Sequence, residues 1–233
     1  IIIVYVILYM LVYILLSIII FYLIYRLFFQ LWTPSPPKQL LESSFFYYGH
    51  RGAPAMSPEN TLLSFNVAFK NNMDGIELDV QLTQDNQIVI YHDQYINYKN
   101  NVIDIRQLTL KQIKTINVNN DFKDQDKQFI PTLNEVLDMI PESIVLNIEI
   151  KSYGRNSRQT AEKQILELLL KYNINEQIII SSFNPFIIKR IKKLNPNIST
   201  AFIWTKKSYY EYKLFSYYSK PDAFHVNIND VNQ

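Results

Sequence analysis

Four short segments concentrate the chemistry of this chain. Tyr48-Gly49-His50-Arg51-Gly52 comes first, then Pro58-Glu59-Asn60-Thr61, Gly75-Ile76-Glu77-Leu78-Asp79-Val80 and Tyr91-His92-Asp93. Two of the three histidines of the chain and a pair of carboxylates fall within them. Glu77 and Asp79 stand two apart in an apolar run, so on a strand both point to one face while Ile76, Leu78 and Val80 point to the other. Adjacent carboxylates repel unless a cation or strong donor lies between them. The chain has no cysteine and no clustered histidine, so the ligands are oxygens, which favours Mg²⁺ or Ca²⁺ over Zn²⁺. Glu149, in Leu146-Asn147-Ile148-Glu149-Ile150-Lys151, can supply a third carboxylate.

His50 and His92 each follow an apolar stretch and suit proton transfer near neutral pH. Arg51 can hold a phosphate oxygen, and Lys151 can offset charge that develops in a transition state. The chemistry that needs all of these is metal-assisted cleavage of a phosphodiester. Glu59 has two readings. It is either a favourable negative charge in a helical first turn, or a group that orients Arg51 or the metal shell. Phe183 either walls a pocket or belongs to an ordinary strand-to-helix turn. His225 is either structural or faces the substrate.

The elements that must position these residues alternate. Strands are expected at Phe45–Gly49, Ile76–Leu82, Gln87–Tyr91, Ile144–Ile150, Gln177–Ser181, Ser199–Ile203 and Ala223–Ile228. Helices are expected at Glu59–Asn72, Lys111–Ile116, Thr132–Met139, Arg158–Tyr172, Pro185–Leu194 and Ser208–Tyr218. Thr132 with Glu135 three residues on makes a capping-box pattern. Thr83-Gln84-Asp85-Asn86 has the composition of a turn. Strands alternating with helices imply parallel βαβ units. In a parallel barrel the active site lies at the C-terminal strand ends, where Glu77, Asp79, His92 and Glu149 are expected. An eight-stranded barrel takes about 250 residues, and no eighth strand is found before Gln233. The fold class is therefore α/β, a (β/α)8 TIM-type barrel lacking its last strand within this sequence, or an open sheet of the same type. The first residue is Ile1, which suggests a fragment or a processed form.

The N-terminal stretch differs from all of this. Ile1 to Tyr25 carries no charge and has Ser17 as its one plainly polar residue. That length suffices to cross a bilayer as a helix. Arg26, Trp32 and Lys38 follow, as at a membrane interface. A cleaved signal peptide would have a shorter apolar core and a small-residue cleavage site. The organisation expected is a single-pass transmembrane anchor over residues 1–31, a stiff Pro-rich linker over 32–44 and a catalytic-type domain over 45–233. Arg26 and Lys38 favour a cytosolic domain, while Asn197-Ile198-Ser199 is a glycosylation pattern that would need a lumenal one. The formal net charge of +2 gives no nucleic-acid footprint.

From Phe45 to about Asn229 the chain resembles a glycerophosphodiester phosphodiesterase domain. The resemblance rests on the motifs above, joined by Pro131-Thr132-Leu133-Asn134-Glu135-Val136-Leu137, Asn147-Ile148-Glu149-Ile150-Lys151 and Ser181-Ser182-Phe183, in order and at similar spacing. It implies a β/α barrel related to phosphatidylinositol phospholipases C. It implies His50 and His92 as the acid–base pair, and Glu77, Asp79 and Glu149 as ligands of a divalent metal. Arg51 and Lys151 match phosphate-side positions. The implied substrate is a glycerophosphodiester, split to an alcohol and glycerol 3-phosphate. With a membrane anchor, a bilayer lysophospholipid is the alternative substrate, and an inactive membrane-tethered phosphate-binding protein is the alternative class. Tyr98 stands where many members carry arginine, Asn86 replaces a turn glycine, and the closing strand is not found.

Overall fold

The computed structural model describes residues 2–26, 33–37, 40–41, 45–119, 121–153, 160–205 and 209–230. All seven expected strands are present: β1 (Tyr48–His50), β2 (Gly75–Leu82), β3 (Ile88–Ile90), β6 (Val145–Ile150), β7 (Ile178–Ser182), β8 (Ser199–Trp204) and β9 (Ala223–Val226). A hairpin, β4 (Tyr95–Tyr98) and β5 (Asn101–Asp104), was not expected. Its turn is built on Lys99 and Asn100, both with positive φ (50° and 65°).

The main sheet runs β1-β2-β6-β7-β8-β9, every pair parallel, and curls as part of a barrel. Among the described residues β1 and β9 remain its two edges. β3 departs from the parallel rule. It folds back antiparallel on the end of β2, pairing Val80 with Ile90 and Leu82 with Ile88. Asn86, at φ 57°, makes the tight turn possible, because a short polar side chain tolerates the left-handed region. β2 therefore runs on beyond its carboxylates. Glu77 and Asp79 lie in the middle of the strand rather than at its end.

The helices are α1 (Ile2–Tyr25), α2 (Leu62–Lys70), α3 (Leu110–Ile113), α4 (Leu133–Leu137), α5 (Thr160–Tyr172), α6 (Pro185–Leu194) and α7 (Tyr209–Ser219). The expected start of α5 at Arg158 falls outside the described residues. The capping box of α4 forms with both of its hydrogen bonds, Thr132 and Glu135 satisfying each other's backbone N–H groups. α2 starts later than expected, capped by Thr61. Glu59 and Asn60 do not open it, since Asn60 has φ 55°.

The strand period of two sorts side chains onto two faces. Ile76, Leu78, Val80, Leu146, Ile148 and Ile180 point outward and form the main core with α2, α4, α5 and α6. The opposite face has two layers. Near the N-terminal strand ends, Val145, Ile179 and Ala201 pack with Tyr48, Phe46 and Leu40. Gly75 leaves room for the Tyr48 ring, since a Cβ there would stand 2.5 Å from a ring carbon. Nearer the C-terminal ends the same face turns polar, and the candidate site residues Glu77, Asp79 and Glu149 lie there.

α1 is the exception to packing. Its described side chains are all exposed, and Ile3–Tyr25 is long and apolar enough to cross a membrane.

Candidate active site

Register brings the carboxylates together. Parallel pairing sets Glu77 opposite Asn147 and Asp79 opposite Glu149, and Glu149 opposite Ser181 on the next strand. Ligand oxygens of Glu77, Asp79 and Glu149 all lie within 4.8 Å of one another, and all three residues are buried. Sequence separation of some seventy residues is thus cancelled by one strand pairing.

Such a cluster needs compensation. Lys151 supplies much of it, its Nζ standing 2.8 Å from Asp79 Oδ1 and 2.6 Å from Glu149 Oε1. Arg51 supplies more. Its Nε lies 3.4 Å from Asp79 Oδ2, and its Nη1 donates to Glu59 Oε1 at 2.9 Å. Arg51 takes φ 55°, and Gly52 follows at φ 89°. A Cβ at Gly52 would fall 2.5 Å from Ser64 Oγ, so only glycine lets this turn close on α2. In that conformation the Arg51 backbone N–H donates to Glu77 Oε2 at 3.0 Å. Glu59 stands outside α2 and is hydrogen-bonded to Arg51.

Burial and Asp79 together push the Glu77 carboxyl up to about 8, because removing a charge from water beside a like charge favours the neutral form. Burial also raises Glu149, while the Lys151 ammonium opposes the shift. Glu77 Oε1 and Asn147 Oδ1 are buried without a hydrogen-bond partner. Oxygens left bare in this way, beside clustered carboxylates, fit a hard divalent cation.

The histidines share this end. His50 Nε2 lies 3.8 Å from Glu77 Oε2. Its imidazole is held below its usual range, first by burial and then by the Arg51 charge. His92 follows β3 and its Nδ1 stands 2.7 Å from Asp93 Oδ1. It lies within electrostatic reach of both His50 and Glu149.

Several residues at the site were not expected. Asn60 Nδ2 donates to Asp79 Oδ2 at 2.7 Å. Gln81 Nε2 donates to the carbonyls of Tyr91 and Asp93 at 2.7 and 2.8 Å, gripping the loop on both sides of His92. The Tyr153 hydroxyl donates to the His92 carbonyl, and Arg106 Nη1 donates to the Tyr153 carbonyl at 2.6 Å. Gln81 and Asn147 could have been found by parity, each standing two residues from a strand carboxylate. Asn60 and Tyr153 carried no such signal. Phe183 is half exposed beyond β7. His225 is half-buried in β9, its imidazole lowered by burial, and it pairs with Ile203 rather than with the carboxylate strands.

The pattern of the Glycerophosphoryl diester phosphodiesterase family matches residues 50–233. The chain belongs to this family. It is 35% identical over 158 residues to a glycerophosphodiester phosphodiesterase of Caldanaerobacter subterraneus, which covers 66% of this chain and 65% of that one. The chain thus spans just under two thirds of that curated relative's length. Among solved structures it is similar to a glycerophosphodiester phosphodiesterase from Thermotoga maritima, with TM-score 0.61 and 26% identity over 79% of this chain and 75% of that one. It is also similar to an Oleispira antarctica phosphodiesterase solved with the product sn-glycerol-3-phosphate. There the TM-score is 0.65 and the identity 25%, over 78% of this chain and 74% of that one. Glycerophosphoryl diester phosphodiesterases have a TIM-barrel-like fold, of which the curled parallel sheet here is the corresponding part. The acidic triad, Glu77, Asp79 and Glu149, lies inside the matched residues.

Proposed function

We propose that this chain hydrolyses a glycerophosphodiester to an alcohol and glycerol 3-phosphate. The observation that carries the reading is the strand register that gathers Glu77, Asp79 and Glu149 beside His50 and Lys151, in a chain of this family. The product bound by the Oleispira relative supports the substrate class.

In this reading His50 and His92 divide the proton transfers. One takes the proton from the attacking oxygen, whether of water or of a neighbouring substrate hydroxyl. The other protonates the leaving alkoxide as the P–O bond breaks. Arg51 and Lys151 bind non-bridging phosphate oxygens and offset charge as it develops on them. Glu59 keeps the Arg51 fork aimed. Gln81 and Tyr153 hold the backbone of His92. Glu77, Asp79 and Glu149 would hold Mg²⁺ or Ca²⁺, which supplies Lewis acidity at the phosphoryl group when bound.

α1 supports a second element of the reading, anchorage in a bilayer. Its span of 23 residues makes a helix of about 34 Å at about 1.5 Å per residue, enough for a bilayer core of about 30 Å. With that helix in a bilayer, hydrolysis of a lysophospholipid on its headgroup side is the second reading of the activity.

The test is turnover of glycerophosphocholine by the purified full chain, with EDTA and with Mg²⁺ or Ca²⁺ added back. Hydrolysis that is lost on chelation and restored by one of the ions is expected. Absence of turnover with either ion would favour an inactive phosphate-binding protein, and turnover indifferent to EDTA would remove the carboxylate site from the mechanism.

A further inference from the structure

Between α1 and β1, the described residues 33–37 and 40–41 dock against the domain. The Ser35 backbone N–H donates to Asp222 Oδ1 at 2.8 Å, and its carbonyl accepts from Ser199 Oγ at 2.8 Å. Pro37 is buried beside it, and Leu40 packs with Phe46 on the apolar inner layer of the sheet. Asp222 is a fixed post. Its Oδ2 accepts from the Thr200 N–H and hydroxyl at 2.8 and 3.0 Å and lies 2.6 Å from Lys192 Nζ. Proline already has a restricted φ, so ordering such a strap costs less entropy than ordering a flexible linker.

The place of docking matters. Ser199 opens β8 and Asp222 directly precedes β9, so the strap crosses the N-terminal end of the parallel sheet. His50, Glu149 and the loop carrying His92 lie towards the opposite end. Residues 26–34 alone separate the end of α1 from Ser35, and nine residues reach at most ~30 Å fully extended. To lay the mouth of the site on a bilayer, that chain would have to climb the sheet, roughly 16 Å for five strand steps. It would also have to pass around a helical layer about 10 Å thick, and the two together, about 26 Å, would hold the nine residues close to full extension, at a cost in chain entropy. Lys193 and Lys220 stand at the strap end, at or after the C-termini of α6 and α7.

We propose that the strap holds the domain with the closed end of its sheet towards a lipid bilayer and the mouth of the carboxylate–histidine site towards water. The proposal rests on α1 as a membrane span. Its consequence for the proposed activity is that the diester arrives from the aqueous phase, and a lysophospholipid must leave the bilayer before it is cut.

Because the chain has no cysteine, single-cysteine variants report position cleanly. Asn197→Cys places a dye in the loop before β8, at the strap end, and Phe183→Cys places one beyond β7, at the mouth; both positions are exposed. The full chain is reconstituted in phosphatidylcholine–phosphatidylglycerol vesicles that carry a rhodamine headgroup acceptor. Energy transfer is expected to be several-fold stronger from position 197 than from 183, with the gap narrowed by Asp222→Ala. Equal or stronger transfer from 183 overturns the orientation. Transfer from neither overturns the anchor with it. Activity is then compared between glycerophosphocholine in solution and lysophosphatidylcholine in the same vesicles. The bilayer substrate is expected to be cut at least about tenfold more slowly, since its acyl chain must first leave the bilayer. Equal rates would also overturn the proposal. Failure on both substrates counts against the hydrolytic activity alone, because the energy-transfer result stands without turnover.

Discussion

Tyr48, Val145 and Ile179 form one layer on the inner face of the sheet, while His50, Asn147 and Ser181 stand two residues further along the same strands. The first layer is apolar and closed over by Phe46 and Leu40. The second contains oxygens with no hydrogen-bond partner, Glu77 Oε1, Asn147 Oδ1 and Ser181 Oγ, beside three buried carboxylates. One backbone thus supports two chemistries about 7 Å apart, at about 3.3 Å per strand residue. Packing at the closed end supplies rigidity, and the open end uses it to hold like charges together. The two layers should therefore respond to substitution in opposite ways, one in stability and the other in activity.

The strongest separation is expected at the histidines. His50→Ala and His92→Ala should each lower turnover of glycerophosphocholine by roughly 10²–10⁴-fold, the usual contribution of a positioned acid or base, with little change in Tm. Retained turnover in either variant would remove it from the acid–base pair. Lys151→Met should lower stability as well as activity, because it strips a cation from Asp79 and Glu149. Breaking a buried ion pair typically costs about 3–5 kcal/mol, so chemical denaturation in EDTA should show a loss of that order, reduced when divalent metal is added. A loss unaffected by metal would break the link between Lys151 and the metal site.

In the closed layer, Ile179→Ala should cost about 2–5 kcal/mol, as large-to-small core changes do. Its kcat/KM, measured below the unfolding transition, should stay near that of the parent. A large fall in kcat/KM with little loss of stability would reverse the contrast. The smallest effect is expected at the rim, where Arg106 hydrogen bonds hold the Asp104 carboxyl at about 2. A carboxyl depressed in the folded state adds stability that is complete above its unfolded value of about 3.9, and loses it as pH falls towards 2. Asp104→Asn should therefore flatten the fall of unfolding free energy between about pH 4 and pH 2, and an unchanged slope would show that Arg106 does not favour the ionised form.

Legibility in the sequence followed the range of the interaction involved. The bounds of α6 agree with expectation, helped by Asn184 capping and Pro185 at the first turn. The α4 capping box agrees as well. Both depend on neighbours within four residues. The β4–β5 hairpin escaped because its strands are short and its turn puts Lys99 at positive φ, where glycine is the usual signal. Asn60 escaped because an acidic residue after proline resembles a helix start, whereas its left-handed backbone turns its amide to Asp79. The Pro-rich segment was expected to be a linker. Its partner, Asp222, lies 187 residues away, beyond any local rule.

By itself, then, the sequence determined what depends on spacing. The period of two put Glu77 and Asp79 on one face. The oxygen-only donor set limited the cation, and the apolar run set α1 apart. The tertiary structure alone decided which distant residues meet. Pairing of β2 with β6 set Asp79 against Glu149, and β3 turned back to place His92 in the grip of Gln81. The strap joined Ser35 to the closed end of the sheet. Those meetings depend on strand register and long-range hydrogen bonds, which are set by how the whole sheet buries its outer face.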